Sequence, residues 1–392
     1  MATAGQHPSA PHLATRFIHS PELSDPAFNA VMPPLYRATT FHQPDPWAET
    51  AYDYGRSGNP TRATFEEAMA HIEGGTQGLA FASGNAALTA FFLLFGSGDH
   101  LVVTQDCQGG TQRILRGVFA RFGLDVTYVD TSDLQAVRDA LRPQTRAVLV
   151  ENFSNPFLYV SDIPALSDIA HTHGAILAVD NTFVTPYLQN PLKLGADLVI
   201  HSTTKMIGGH SDVTGGVVVA RDRELAARLY FIQNSCGAIL SPDDSYMAFR
   251  GLKTLPVRMN HAQTSAQRLA QQLQTRPEVT HIYYPGLENH PGHSTALSTM
   301  RGFGQMVTFR VRMPEWVPYI VQNVHWAAVG AGLGGTETMI SLPELHCHAA
   351  LTADERQSRN ITSDVLRVSV GLETPEDLVE DIIQAISSAA RQ

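Results

Sequence analysis

The sequence predicts an α/β protein, with a mostly parallel β-sheet covered by helices on both faces and a smaller α+β region after it. Three observations predict this. From about residue 61 onward, short apolar runs alternate with amphipathic segments of helical period. Serine, glycine and proline stand at the junctions as start and stop signals. Around residues 241–260 the alternation gives way to one longer helical pattern and then to isolated strand-like runs. Strands buried on both faces read as continuous apolar runs, and ligands of parallel sheets bind at the strands' carboxyl ends.

Taken in order, residues 1–50 carry Pro and polar residues with little periodicity and read as an extended arm. Residues 61–72 form an amphipathic helix stopped at Gly74-Gly75, and residues 85–94 a second helix opening after Ser83-Gly84. Residues 101–104, 126–129, 147–150 and 176–179 are β-rich, with a helix over 163–172 between the last two and Gly174 as its C-cap signal. Residues 198–200 and 217–219 complete the strand set. A helix then carries Phe249-Arg250-Gly251-Leu252-Lys253-Thr254-Leu255, followed by strands over 306–311 and 365–370. The last helix starts at Thr374, with Thr374 as N-cap, Pro375 at its first position and acids in its first turn. The expected division is an arm over 1–50, a large domain over 51–245 and a C-terminal domain over 246–392.

A net charge of −10 argues against a nucleic-acid or anionic-membrane surface, so any bound anion is held locally. The start, Met1 to Pro11, has neither a basic end nor an apolar centre and does not read as a signal peptide. Three cysteines, Cys107, Cys236 and Cys347, do not make a disulfide framework and fit a reducing cytoplasm.

The chain holds three lysines, Lys193, Lys205 and Lys253. Lys205 ends His201-Ser202-Thr203-Thr204-Lys205, directly after an apolar run and shortly before Gly208-Gly209. Only a primary amine forms an imine with a carbonyl, so arginine cannot replace lysine there. This points to a Schiff-base lysine for pyridoxal phosphate (PLP). Such a cofactor needs three further things: a carboxylate facing its pyridine nitrogen, an anion cradle and a grip on the substrate carboxylate. Asp180 ends a buried-looking strand and fits the first; an N-cap or an arginine ion pair fits it equally. Ser83-Gly84-Asn85 opens a helix whose N–H groups can hold a phosphate, with Ser202 and Thr204 adding hydroxyls; most such turns are simple caps. Arg56 in its glycine-rich turn adds a fixed charge or is a surface arginine. Arg367, a charge inside an apolar strand, fits a carboxylate clamp or an internal ion pair.

Together these residues resemble the Cys/Met metabolism family of PLP enzymes, which includes cystathionine γ-synthase, cystathionine γ-lyase and methionine γ-lyase. The resemblance runs from Val31-Met32-Pro33-Pro34-Leu35-Tyr36 to Val370-Gly371-Leu372-Glu373. It takes in Asn59-Pro60-Thr61, Ser154-Asn155-Pro156, Val179-Asp180-Asn181-Thr182, the Lys205 block and Gly334-Gly335-Thr336-Glu337. It implies the aspartate-aminotransferase-like fold (fold type I) with a seven-stranded sheet. Lys205 would be the imine lysine and proton shuttle, and Asp180 would face the ring nitrogen. Ser83, Gly84, Asn85, Ser202 and Thr204 would bind phosphate, with Tyr54 and Arg56 reaching the phosphate of a neighbouring subunit. Asn155 and Arg367 would hold the substrate carboxylate. A homotetramer built from close dimers is implied.

The chain departs from that family's pattern around the substrate. Gln108 stands where a cofactor-stacking tyrosine is usual, and glutamine neither stacks nor titrates. Ala331 and Gly332 replace the usual glutamate and serine, Met206 replaces tyrosine and Asn85 replaces methionine. Met-Thr-His reads His346-Cys347-His348, which on a strand would set both histidines on one face; substrate contact is expected there, and no metal. Asp53 either receives a cationic part of the substrate or is a solvated turn acid. Without an acid at residue 108, leaving groups that need no proton are favoured. The expected reaction is γ-elimination or γ-replacement on an activated amino acid, of O-acyl homoserine or S-adenosylmethionine type, through a vinylglycine-type intermediate that a nucleophilic co-substrate attacks. The alternatives are a γ- or β-lyase cleaving a C–S bond, and a PLP-binding paralogue without catalysis.

Overall fold

A computed structural model describes residues 11–20, 25 and 27–392. Of the expected arm, residues 1–10, 21–24 and 26 lie outside the described residues. The large sheet has strands β1 (Gln77–Phe81), β2 (His100–Thr104), β3 (Asp125–Val129), β4 (Thr145–Glu151), β5 (Ile176–Asp180), β6 (Leu198–Ser202) and β7 (Gly216–Ala220). Their spatial order is β1-β7-β6-β5-β4-β2-β3. Strands β2 to β6 pair in parallel, and β7 runs antiparallel to both β6 and β1. The seven-stranded, mostly parallel sheet expected from the resemblance is present.

Strand β1 escaped the strand pattern. Its residues include Gly78 and Ala80 and no β-branched side chain, so nothing local marks it as a strand. Tertiary packing decides it: a Cβ on Gly78 would stand 2.3 Å from the carbonyl oxygen of Glu66, on the helix Pro60–Glu73.

The helices begin where the sequence signals them. Asn59 accepts the Thr61 and Arg62 N–H groups, Pro60 fills the first position, and Gly74 ends the helix at φ 80°. Ser83 accepts the Ala86 N–H and opens the helix Gly84–Phe92. Thr374 is an exception: it sits at the N-cap of the helix Pro375–Ala389, but its side chain makes no capping bond.

Alternation along the strands feeds two apolar layers. Val102, Val148, Val150, Leu177, Val179 and Val199 face one side, and Leu101, Val103, Leu149, Ala178, Leu198 and Ile200 the other. Each fully buried aliphatic side chain contributes about 1.5–3 kcal/mol, so the sheet is held between its two helix layers.

A second sheet contains β8 (Val279–Tyr283), β9 (Met306–Val311), β10 (Ala328–Val329), β11 (Met339–Ser341) and β12 (Val365–Ser369), in the order β10-β11-β12-β9-β8. The helix expected near residue 250 extends over Pro242–Gln274. Phe249, Leu252, Leu255 and Met259 pack into the first core, and Leu269 and Leu273 join the core of the second sheet. Among the described residues no helix is long and apolar enough to cross a membrane.

That helix also fixes the loop after β6. Arg258 is buried and donates to the carbonyl oxygens of Met206 (2.7 Å), Ile207 (3.3 Å) and Gly251 (2.7 Å). Gly251 lets the loop touch the helix backbone, since a Cβ there would lie 2.2 Å from the Gly208 carbonyl oxygen. Gly251→Ala is therefore expected to force this loop away and to destabilise the protein by about 1–3 kcal/mol, read as a lowered thermal midpoint.

Candidate active site

The parallel register of β4, β5 and β6 gathers their last residues at one edge. Glu151 is paired with Asp180, and Asp180 with Ile200. On the other flank, Phe81 and Ser202 are both level with Gly216 of β7. The Ser83-Gly84 turn therefore meets the end of β6, and a Cβ on Gly84 would stand 2.8 Å from Ser202 Oγ.

One cavity opens at this edge. Glu151, Asp180, Ser202 and Lys205 line it from the large sheet, Asn155 and Gln108 from the loops after β4 and β2, and Arg367 from β12. Lys205 sits in the turn after β6, where Gly208 N–H bonds to Thr203 O and Gly209 N–H to Lys205 O, both at 2.8 Å. Burial, and then the Arg367 charge, push its ammonium down from the usual lysine range, and no carboxylate opposes that shift. Arg367 is buried; its Nη1 donates to Asn155 Oδ1 at 2.8 Å, while its Nε has no partner. Asp180 accepts the Thr182 hydroxyl at 2.5 Å and the Thr182 N–H at 3.1 Å. It has neither of the partners that its sequence context equally allowed, a capped helix or an arginine. Burial pushes its carboxyl up against those two bonds.

Several expected residues stand elsewhere. Thr204 Oγ1 donates to Gly215 O at 3.2 Å and accepts Gly215 N–H at 3.0 Å, so its proton is already committed. Asn85 and Gln108 are neighbours: a Cβ on Gly110 would touch Asn85 Oδ1 at 2.7 Å and Gln108 Oε1 at 2.9 Å. Ala331 lines the cavity and Gly332 does not. Asp53, Tyr54 and Arg56 are exposed and lie off it; Asp53 accepts the Tyr54 N–H at 2.6 Å, and Arg56 donates to Asn234 O at 2.6 Å.

The strand expected at His346-Cys347-His348 is a turn following β11. Its outcome differs from alternation, because Cys347 lines the cavity while His348 is buried behind it, Nδ1 at 3.0 Å from Cys347 Sγ. Cys347 Sγ stands 3.7 Å from both Asn155 Oδ1 and Arg367 Nη1. No group of three or more potential metal ligands occurs among the described residues.

Glu151 was also missed. Its Oε2 accepts the Gln108 N–H at 2.7 Å, and burial, then Asp180, push its carboxyl well up. The signal was available: Glu151 ends an apolar strand just as Asp180 does.

These residues fit PLP on their own geometry. Among the described residues no cation bonds the buried Asp180 carboxylate, and a ring N–H⁺ would provide one. Gly84, at the start of the helix Gly84–Phe92, lies directly against Ser202, which lines the cavity, so backbone N–H groups of a helix N-terminus and a hydroxyl stand together where a phosphate would be held. Lys205 faces the same cavity.

Comparison with known proteins agrees. A family model described as Cys/Met metabolism PLP-dependent enzyme matches residues 14–387. The chain is 44% identical over 374 residues to a cystathionine gamma-lyase of Bacillus subtilis, covering 95% of this chain and 99% of that one. It is 44% identical over 378 residues to a cystathionine beta-lyase of the same organism, covering 96% and 97%. Its fold matches that of a cystathionine gamma synthase from Xanthomonas oryzae pv. oryzae, in complex with aminoacrylate and cysteine, with TM-score 0.95 and 38% identity over 98% and 100% of the two chains.

Borohydride reduction of the protein with PLP, followed by peptide mapping, is expected to label Lys205 and to leave Lys193 and Lys253 free.

Proposed function

The chain belongs to the Cys/Met metabolism family of PLP-dependent enzymes, and from that premise we propose that it cleaves a carbon–sulfur bond at the γ- or β-carbon of a small amino acid. The observation that carries this reading is the Arg367–Asn155 pair on the wall facing Lys205. A buried guanidinium with a free Nε, its Nη1 oriented by an amide oxygen, suits an α-carboxylate. It sets the substrate's α-carbon toward the lysine. The sulfur leaving group follows the relatives, whose names are those of cystathionine lyases.

Asp180 would face the ring nitrogen, and Gly84, with Ser83, Asn85 and Ser202, would hold the phosphate, while the hydroxyl of Thr204, expected there too, is spent on Gly215. When bound, PLP takes up the electron pair left at the α-carbon. Lys205 removes the proton from that carbon. The depressed basicity of its buried ammonium keeps a larger share in the free-amine form that accepts a proton. Arg367 and Asn155 keep the carboxylate fixed while Phe183 and Leu333 close the apolar side of the cavity.

Gln108 favours a second reading, elimination or replacement on an activated amino acid such as an O-acyl homoserine or S-adenosylmethionine, whose leaving group needs no proton. A nucleophilic co-substrate would then add.

The same reading makes the site a property of an oligomer, of close dimers paired into tetramers. Phe28, Val31 and Trp47 in the arm are 86%, 90% and 92% exposed in the single chain, and a neighbouring subunit would cover them. Tyr54 and Arg56, exposed and off their own cavity, would reach a neighbour's phosphate.

Purified protein offered cystathionine, methionine, O-acetylhomoserine and S-adenosylmethionine is expected to release thiol and a 2-oxo acid from the first; activity confined to the last two would establish the second reading and overturn the first. Arg367→Lys is expected to raise KM roughly 10- to 150-fold, through loss of a charged hydrogen bond, with a smaller change in kcat. Arg56→Ala is expected to weaken cofactor retention while leaving the native mass of the oligomer unchanged.

A further inference from the structure

Two ionisable groups lining the cavity, Glu151 and Cys347, are employed by no step above. Glu151 lines it together with Lys205 and Arg367, at the end of β4 and side by side with Asp180. Its Oε2 is taken by the Gln108 N–H at 2.7 Å, which fixes the carboxyl against the residue that would ordinarily face the leaving group. Gln108 itself carries no proton to give. From this placement we infer that Glu151 is the acid that protonates the departing sulfur.

The surroundings favour the acid form of that carboxyl. Burial acts first; then Asp180 on β5 and Asp106 before the helix Gly109–Gly117 oppose its ionisation, while the Gln108 N–H and Arg367 on β12 favour it. Cys107 and Cys347 stand close enough to feel its charge, and both thiols are themselves held neutral by burial. Glu151 has no ion pair of its own among the described residues, whereas a buried carboxylate without one is costly.

The step balances with the groups present. The C–S bond breaks and its electron pair goes to sulfur; the Glu151 O–H bond breaks and its proton goes to the same atom, giving a neutral thiol. Glu151 is left as a carboxylate. The proton that Lys205 took from the α-carbon then returns to Glu151, so both groups are restored with no outside reactant. This assignment rests on the carbon–sulfur reading above.

The test uses Glu151→Gln in the holoenzyme, because the amide oxygen still accepts the Gln108 N–H and a loss cannot come from the missing contact. Single-turnover rates are compared on S-alkyl homocysteines and S-alkyl cysteines, which carry the thioether at the γ- and the β-carbon and whose thiols differ in acidity, and on O-acetylhomoserine and O-acetylserine, whose acetate needs no proton. The variant is expected to lose about 10²- to 10⁴-fold on the alkyl thioethers, the usual span for a general acid. It should become steeply dependent on thiol acidity and change by less than about threefold on the esters. Glu151→Asp, which keeps the acid, is expected to recover part of the thioether rate. A second readout is independent of turnover: the infrared difference between the wild type and Glu151→Gln is expected to show a protonated carboxylic acid in the wild type at neutral pH. Equal losses on thioether and ester, an unchanged thioether rate, or no such band would each overturn the assignment. A wild type that releases thiol from none of the thioethers would instead overturn the carbon–sulfur reading, with the infrared band still deciding the state of Glu151.

Discussion

The site depends on a constraint of the sheet. Strands β4, β5 and β6 run in parallel register, so their carboxyl ends cannot avoid meeting at one edge. Each contributes a polar or charged group there: Glu151, Asp180 and Ser202, with Lys205 three residues on. Antiparallel β7 returns the chain to the same edge at Gly216, where a side chain would collide with the Ser83 carbonyl oxygen at 2.4 Å. A helix N-terminus set against Ser202, two acids and an amine are thus consequences of strand direction and register.

Holding those charges in place takes polar structure away from the cavity. Arg258 binds the carbonyl oxygens of the lysine loop to the Pro242–Gln274 helix. On the far side of β6, His201 Nε2 lies 2.6 Å from Glu73 Oε1, both fully buried, and Asn190 bonds to the other Glu73 oxygen at 3.2 Å. Removing one member of such a buried pair leaves the other uncompensated. The histidine that begins the His-Ser-Thr-Thr-Lys stretch is therefore structural, whereas the lysine that ends it lines the cavity. Alternation along β6 and the following turn separates the two roles.

Much of this was legible in the chain. Caps, proline and glycine signals gave the helix starts, because they are read by local backbone hydrogen bonds. Lys205, Asp180 and Arg367 stood out in the chain because a charge inside or just past an apolar run differs from its surroundings, whereas Asn155 was named only through the family resemblance. Strand β1 was hidden since its glycine and alanine satisfy a neighbouring helix and leave no periodic signal. Cys347 was hidden because a turn, set by packing against Asn155 and Arg367, replaced the alternation assumed for a strand. Glu151 carried the same signal as Asp180 and was passed over only for want of a cofactor atom to face it.

By itself, the sequence determined the fold class and, through its ordered motifs, the family, and it singled out Lys205 as the candidate amine, since these rest on local backbone preferences and on the order and chemistry of residue types. The tertiary structure decided which groups share the cavity. It brought Glu151 beside Gln108, turned Cys347 inward, committed the Thr204 hydroxyl to Gly215 and left Tyr54 and Arg56 outside. Those outcomes depend on register and long-range packing between residues far apart in the chain, and a one-dimensional pattern does not carry distances.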